Sequence, residues 1–126
     1  MQEYAGGCLC GYISYKIEGK PTFPHLCSCQ MCQKWSGALT VAWAEFPLKA
    51  LTWDGQGGEP AFYRSSEKTQ RGFCPKCGGA LCALDDGNDT TISMTIASLQ
   101  DPERVIPGKH SYKEEAPSWW RVTSVS

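Results

Sequence analysis

The chain has 126 residues and a formal net charge of −1, which suits one domain over 1–126 with a modest core and leaves no broad basic surface for a phosphate backbone. Nucleic acid is therefore excluded as an expected partner. No run approaches the ~18 apolar residues of a membrane span, and MQEYAGGCLCGYISYKIEGK lacks a basic region followed by a long apolar core, so a soluble, cytoplasmic protein with no membrane partner is expected.

In chain order the texture is that of strands. Residues 11–19, GYISYKIEG, alternate Ile13, Tyr15 and Ile17 with Tyr12, Ser14 and Lys16, the period of a strand with one buried face. Residues 38–46, ALTVAWAEF, place Leu39, Val41 and Trp43 on one face, and residues 48–53, LKALTW, form a shorter candidate. Further strands are expected at 60–66, at 79–84 and at 89–99, the last dense in Thr and Ile, with turn clusters DGQGGEP and DDGND between hairpins. No segment carries a sustained helical stripe. Asp101 and Pro102 suit the cap and first position of a single helical turn, and KEEAP at 113–117 reads as a solvated turn.

Eight cysteines in a reducing compartment favour metal binding over bridges. Cys74 and Cys77 in FCPKCGG form a knuckle of two thiolates two residues apart, one half of a tetrahedral zinc site. Strands can bring Cys8 and Cys10 of GGCLCG beside it, completing a closed four-thiolate site. Cys27, Cys29 and Cys32 in HLCSCQMCQKWSG are three, too few for a closed site but enough for a zinc with a vacant position. Cys82, inside the apolar strand GALCAL, reads as a buried, inert thiol.

Taken together, GCLCGYISY, CSCQMCQKWSG, FCPKCGG and PGKHSYKEEAPSWWRV resemble, in that order, the glutathione-dependent formaldehyde-activating enzyme family, which shares its domain with centromere protein V. The resemblance runs from Gly7 to about Val122. It implies an all-β fold of packed or folded-over antiparallel sheets stapled by a structural zinc on Cys8, Cys10, Cys74 and Cys77. It also implies a second zinc, through which Cys27, Cys29 and Cys32 act in catalysis, giving two zinc ions per chain. The implied activity is that of a carbon–sulfur lyase. Its small-molecule partner would be glutathione or a related thiol, as the adduct of formaldehyde or another aldehyde. Many members carry His between the first two triad cysteines and Arg after the third. This chain has Ser28 and Gln33 there, so no proton transfer or anion binding is expected from those positions.

A three-thiolate zinc is a poorer Lewis acid than zinc on three neutral imidazoles but binds a fourth, soft thiolate well. That fits activation of a thiol for addition to an aldehyde. Lys34 reads as solvated surface; His25 and His110 are candidates for a coordination shell or a proton shuttle, with ordinary hydrogen bonding favoured. Trp43 reads as core, while Trp35, Trp119 and Trp120 are open between packing and pocket. The competing functions are a non-catalytic zinc-stapled binding module and a thiol oxidoreductase with Cys82 as nucleophile.

Overall fold

The structure, a computed structural model, describes residues 2–125. Ile13, Tyr15 and Ile17 are all buried, as their two-residue period requires. Strand β2 (Ser14–Glu18) carries the last two and lies between β1 (Glu3–Gly7) and β5 (Leu51–Trp53) in a three-stranded antiparallel sheet. The second sheet has seven strands: β3 (Thr22–Cys27), β4 (Val41–Pro47), β6 (Ala61–Arg64), β7 (Thr69–Phe73), β8 (Ala80–Asp85), β9 (Thr91–Thr95) and β10 (His110–Ser111). Their order is β10-β3-β4-β9-β8-β7-β6, antiparallel except where β10 runs parallel to β3.

The expected all-β fold of packed sheets is the one observed, with one short α-helix among the described residues, α1 (Gln30–Ser36), closed by Gly37. The periodicity hides this helix because Cys32 is its only buried residue. Nor did the sequence pattern announce β1, β3, β7 or β10. EYAGG, TFPHLC and TQRGF contain glycine, proline or charge where an alternating strand would carry apolar residues, and HS is only two residues long.

β4 also departs from the one-sided pattern expected of it. Val41 and Trp43 are buried on one face and Ala44 and Phe46 on the other, because the strand lies inside the large sheet with both faces covered. On one side the small sheet contributes Tyr4, Ile13, Tyr15 and Ile17 to a core shared with Phe46, Leu81, Cys82, Ile92 and Met94. On the other, Val41 and Trp43 pack with Cys27, Cys32 and the flanking Trp35.

The 89–99 segment is a strand only through Thr95, followed by a 3₁₀ turn at Ile96–Ser98. That turn folds Leu99 back to pair with Gly6, and the Tyr15 hydroxyl meets Ser98 Oγ at 2.6 Å. Only glycine fits at position 6, since a Cβ there would fall 2.4 Å from the Ser98 carbonyl oxygen. The 48–53 segment likewise begins as a 3₁₀ turn, Leu48–Ala50, in which the Leu48 N–H donates to the Thr90 carbonyl. Pro102 opens the 3₁₀ turn Pro102–Arg104 as expected, but Asp101 makes no side-chain cap; only its carbonyl accepts, from Arg104 N–H.

Phe46 is fully buried and meets the Tyr4 ring edge-on at 5.3 Å. Replacing it with Ala removes a contact between the sheets and leaves a cavity, so urea unfolding should show a loss of about 3–5 kcal/mol.

Candidate metal centres

Two hairpin turns meet at one edge of the sheets. Cys8 and Cys10 lie on the turn joining β1 to β2, and Cys74 and Cys77 on the turn joining β7 to β8. Their four sulfurs lie within 4.8 Å of one another. Sγ of Cys10 is 3.8 Å from that of Cys8 and 3.7 Å from that of Cys74. A tetrahedron with zinc–sulfur bonds of about 2.3 Å has sulfur–sulfur edges of about 3.8 Å, so this donor set fits zinc. All eight cysteines are free thiols. Backbone amides point at the sulfurs: Ile13 N–H donates to Cys8, and Lys76 and Cys77 N–H donate to Cys74, at 3.3–3.4 Å. Such donors favour thiolate over thiol. Cys77 is accordingly drawn down to about 6, chiefly by the amides of Cys10 and Gly79.

The second cluster lies on the opposite face of the large sheet. Cys27 ends β3, Cys29 caps α1 and accepts the Cys32 N–H at 3.3 Å, and Cys32 sits in the first helical turn. The three sulfurs also lie within 4.8 Å of one another. Cys27 and Cys32 are buried and Cys29 is half-buried, so the trio has one side toward solvent. The Cys32 thiol is held down at about 5 by hydrogen bonding with Cys27 and, against the cost of burial, by Arg71. Cys27 is pushed up by the same pairing and by burial.

The candidates around this trio sort by contact. His25 is occupied locally, its Nδ1 2.8 Å from the Phe23 carbonyl and its ring stacked on Phe23. His110 is buried, with Nε2 2.7 Å from Ser28 Oγ. Among the described residues no histidine joins either sulfur cluster. Ser28 is fully buried and also meets Thr40 Oγ1 at 2.9 Å, while Trp120 Nε1 donates to Thr40 at 2.8 Å. Burial, then Lys113 and Arg121, hold His110 below the usual imidazole range, which favours the neutral ring in its hydrogen bond with Ser28. The side-chain amide of Gln33 donates to the carbonyls of Ser28 and Glu115. Ser28 and Gln33 thus brace the loop between the cysteines.

KEEAP is more than the solvated turn expected: Glu115 Oε1 accepts the Gln30 N–H at 3.0 Å and ties the turn to the start of α1. Trp43 is core, Trp35 stacks on it with centroids 5.8 Å apart, Trp119 is exposed and Lys34 lies on the surface. Arg71 escaped the sequence reading altogether. The available signal was a charged residue three positions before Cys74, inside a strand bounded by the knuckle.

Cys82 is fully buried, and burial pushes its thiol up to about 12. Its sulfur lies over Gly72, where a Cβ would come within 2.5 Å of it. Neither property suits a nucleophile.

With both clusters described, the class of protein follows: a β-sheet protein whose two cysteine clusters have the donor chemistry of zinc sites. The chain belongs to the glutathione-dependent formaldehyde-activating enzyme family, whose profile matches residues 3–115. A Schizosaccharomyces pombe protein named as an uncharacterized lyase is 30% identical over 81 residues, which make up 64% of this chain and 57% of that protein. The chain thus spans just over half the length of that relative. A crystal structure of a Rhodobacter sphaeroides protein is similar in fold, with a TM-score of 0.61, 21% identity, and coverage of 76% of this chain and 87% of that one.

Two substitutions separate the cysteine roles. Cys74→Ser breaks the junction between the two turns and should cost about 4 kcal/mol or more, whereas Cys29→Ser, confined to a local loop, should cost under about 2 kcal/mol. Chemical denaturation of both proteins, prepared with zinc, measures the contrast. Cys82→Ala should lose only about 1 kcal/mol by the same assay and leave zinc content unchanged.

Proposed function

We propose that this protein is a zinc-dependent carbon–sulfur lyase acting on the adduct of a thiol, glutathione by the family's name, with formaldehyde or a related aldehyde. The observation that carries this reading is the cysteine trio: three convergent sulfurs, two buried and one half-exposed, with no fourth protein donor beside them among the described residues. Four sulfurs close a tetrahedron and suit a structural ion on Cys8, Cys10, Cys74 and Cys77; three leave room for a substrate.

In the direction of synthesis the thiol sulfur bonds to the carbonyl carbon and the thiol proton ends on the carbonyl oxygen; breakdown returns both. A zinc ion held by Cys27, Cys29 and Cys32 would keep an incoming thiol ionised at neutral pH. The chain's own groups orient. Gln33 and the Ser28–Thr40–Trp120 network fix the loop that carries the trio, and Glu115 fixes the start of α1. His110 is a bracing group rather than a base, because its Nε2 is engaged by Ser28 inside the fold. Proton exchange is then left to water on the Cys29 side. That suffices for an addition already feasible without a catalyst, where orientation is the main gain.

Cobalt substitution tests the proposal. The protein should take up two ions per chain, and added glutathione should strengthen the sulfur-to-cobalt charge-transfer absorption until it saturates. S-methylglutathione, which cannot ionise at sulfur, should do little, and Cys29→Ser should abolish the response. Exchange between free and hydroxymethylated glutathione should also outrun the protein-free rate. A cobalt spectrum indifferent to glutathione, with exchange at the blank rate, would leave a non-catalytic zinc-stapled module as the better reading.

A further inference from the structure

Arg71 is a buried guanidinium without a carboxylate. Among the described residues the ion pairs are Lys16–Asp54 and Arg64–Asp86, and no acidic oxygen lies within 4.0 Å of Arg71. It is only 6% exposed, yet it extends from the middle of β7, where cross-strand pairing with Ala83 turns it toward the cysteine trio. A guanidinium taken out of water needs either an opposite charge or a full set of acceptors.

Its surroundings are specific. The Nη1 N–H donates to Cys32 Sγ at 3.6 Å, and Nε donates to Ser65 Oγ at 3.3 Å. The guanidinium carbon lies 5.0 Å from the centroid of the Trp35 ring and 5.7 Å from that of Trp43. These two rings are parallel to within 8°. Aromatic faces hold a planar cation in place and favour it electrostatically, but they do not neutralise it. Cys32 is the ionisable partner that Arg71 reaches.

We infer that Arg71 is the counter-charge of the three-cysteine centre, a positioning residue whose fixed N–H···S bond to Cys32 offsets the net negative charge of three thiolates around a divalent ion and thereby sets how tightly that ion is held. The inference rests on the trio holding a metal as proposed above. It also distinguishes the two centres. The four-cysteine cluster is bonded by backbone amides, whereas the trio receives amides at Cys27 and Cys29 and, at Cys32, one full positive charge. Outer partners of metal ligands set affinity through this kind of hydrogen bond. The tryptophans acquire a second role, since Trp35 on α1 and Trp43 on β4 keep the guanidinium aimed at the sulfur.

Zinc release to a chromophoric chelator, followed ion by ion, tests this. The wild-type protein should lose its two ions in two steps, the looser from the trio. Arg71→Met keeps the length of the side chain and removes the charge. It should weaken the looser ion about 10- to 100-fold and leave the tighter one as it was. The cobalt form of the same variant should show a displaced sulfur-to-metal charge-transfer band, a change that loss of packing alone would not produce. Arg71→Lys restores charge without the planar fork and should fall between. Equal affinity of the trio for zinc in Arg71→Met and wild type, or equal weakening of both ions, would overturn the inference. Should Arg71→Met yield no folded protein, Arg71→Lys decides: looser zinc at the trio alone supports the inference, and wild-type affinity overturns it. A wild-type protein that binds one ion only would instead remove the three-cysteine metal centre itself.

Discussion

Seven thiols drawn into two clusters, each with sulfurs no more than 4.8 Å apart, are the constraint around which this chain is arranged. Ionised sulfurs at that spacing repel, and burial adds a desolvation cost, so such clusters persist only by keeping protons or by enclosing a cation. At the four-cysteine cluster the cost is tied to the fold. Its turns belong to different sheets, and Cys10 and Cys74 are 64 positions apart in sequence. An ion shared by those turns would close the sandwich at one end, while Phe46, Tyr4 and Tyr15 close it through the core. Binding energy at the cluster then becomes folding energy.

The trio meets the same electrostatic problem with different means. It is formed within six residues, so holding it together closes only a short loop. The protein instead spends structure on its setting: a buried arginine aimed at one sulfur, two stacked tryptophans behind that arginine, and a hydroxyl and imidazole network beneath the intervening Ser28. Those partners hold the short loop in one arrangement. Such contacts around the ligands of a metal would set their orientation.

Legibility in the sequence tracked how each feature is encoded. Ile13, Tyr15 and Ile17 announced β2 because one face of that strand is buried and the other is not. The cysteine grouping was legible because ligand spacing is a covalent property of the chain, and both groups do converge in space. By contrast, α1 gives no stripe, since Cys32 is its one buried residue and only the half-buried Trp35 packs beside it, and β7 is interrupted by Arg71 and Gly72, one aimed at the trio and the other making room for Cys82. Features that serve the site break the local pattern from which elements are inferred. His110 and Trp120 belong to the same category, as both reach Ser28 or its partner from more than 75 positions away. No local rule connects them.

Polarity around the trio also bears on the kind of chemistry it suits. Three thiolates around a divalent ion leave a net negative centre, which attracts electrons from an oxygen weakly and accommodates a further sulfur well. Arg71 moderates that charge from below, at the buried sulfur, and does so without approaching the solvent side where a substrate would enter. The half-buried Cys29 faces that side, with no ionisable base of the described residues bonded to it. Positive charge behind the ligands and an uncommitted face in front favour binding and orienting a thiol over driving a difficult proton transfer. A centre with that bias suits a reaction whose bond-making step is intrinsically easy, where holding and orienting the thiol is the main gain.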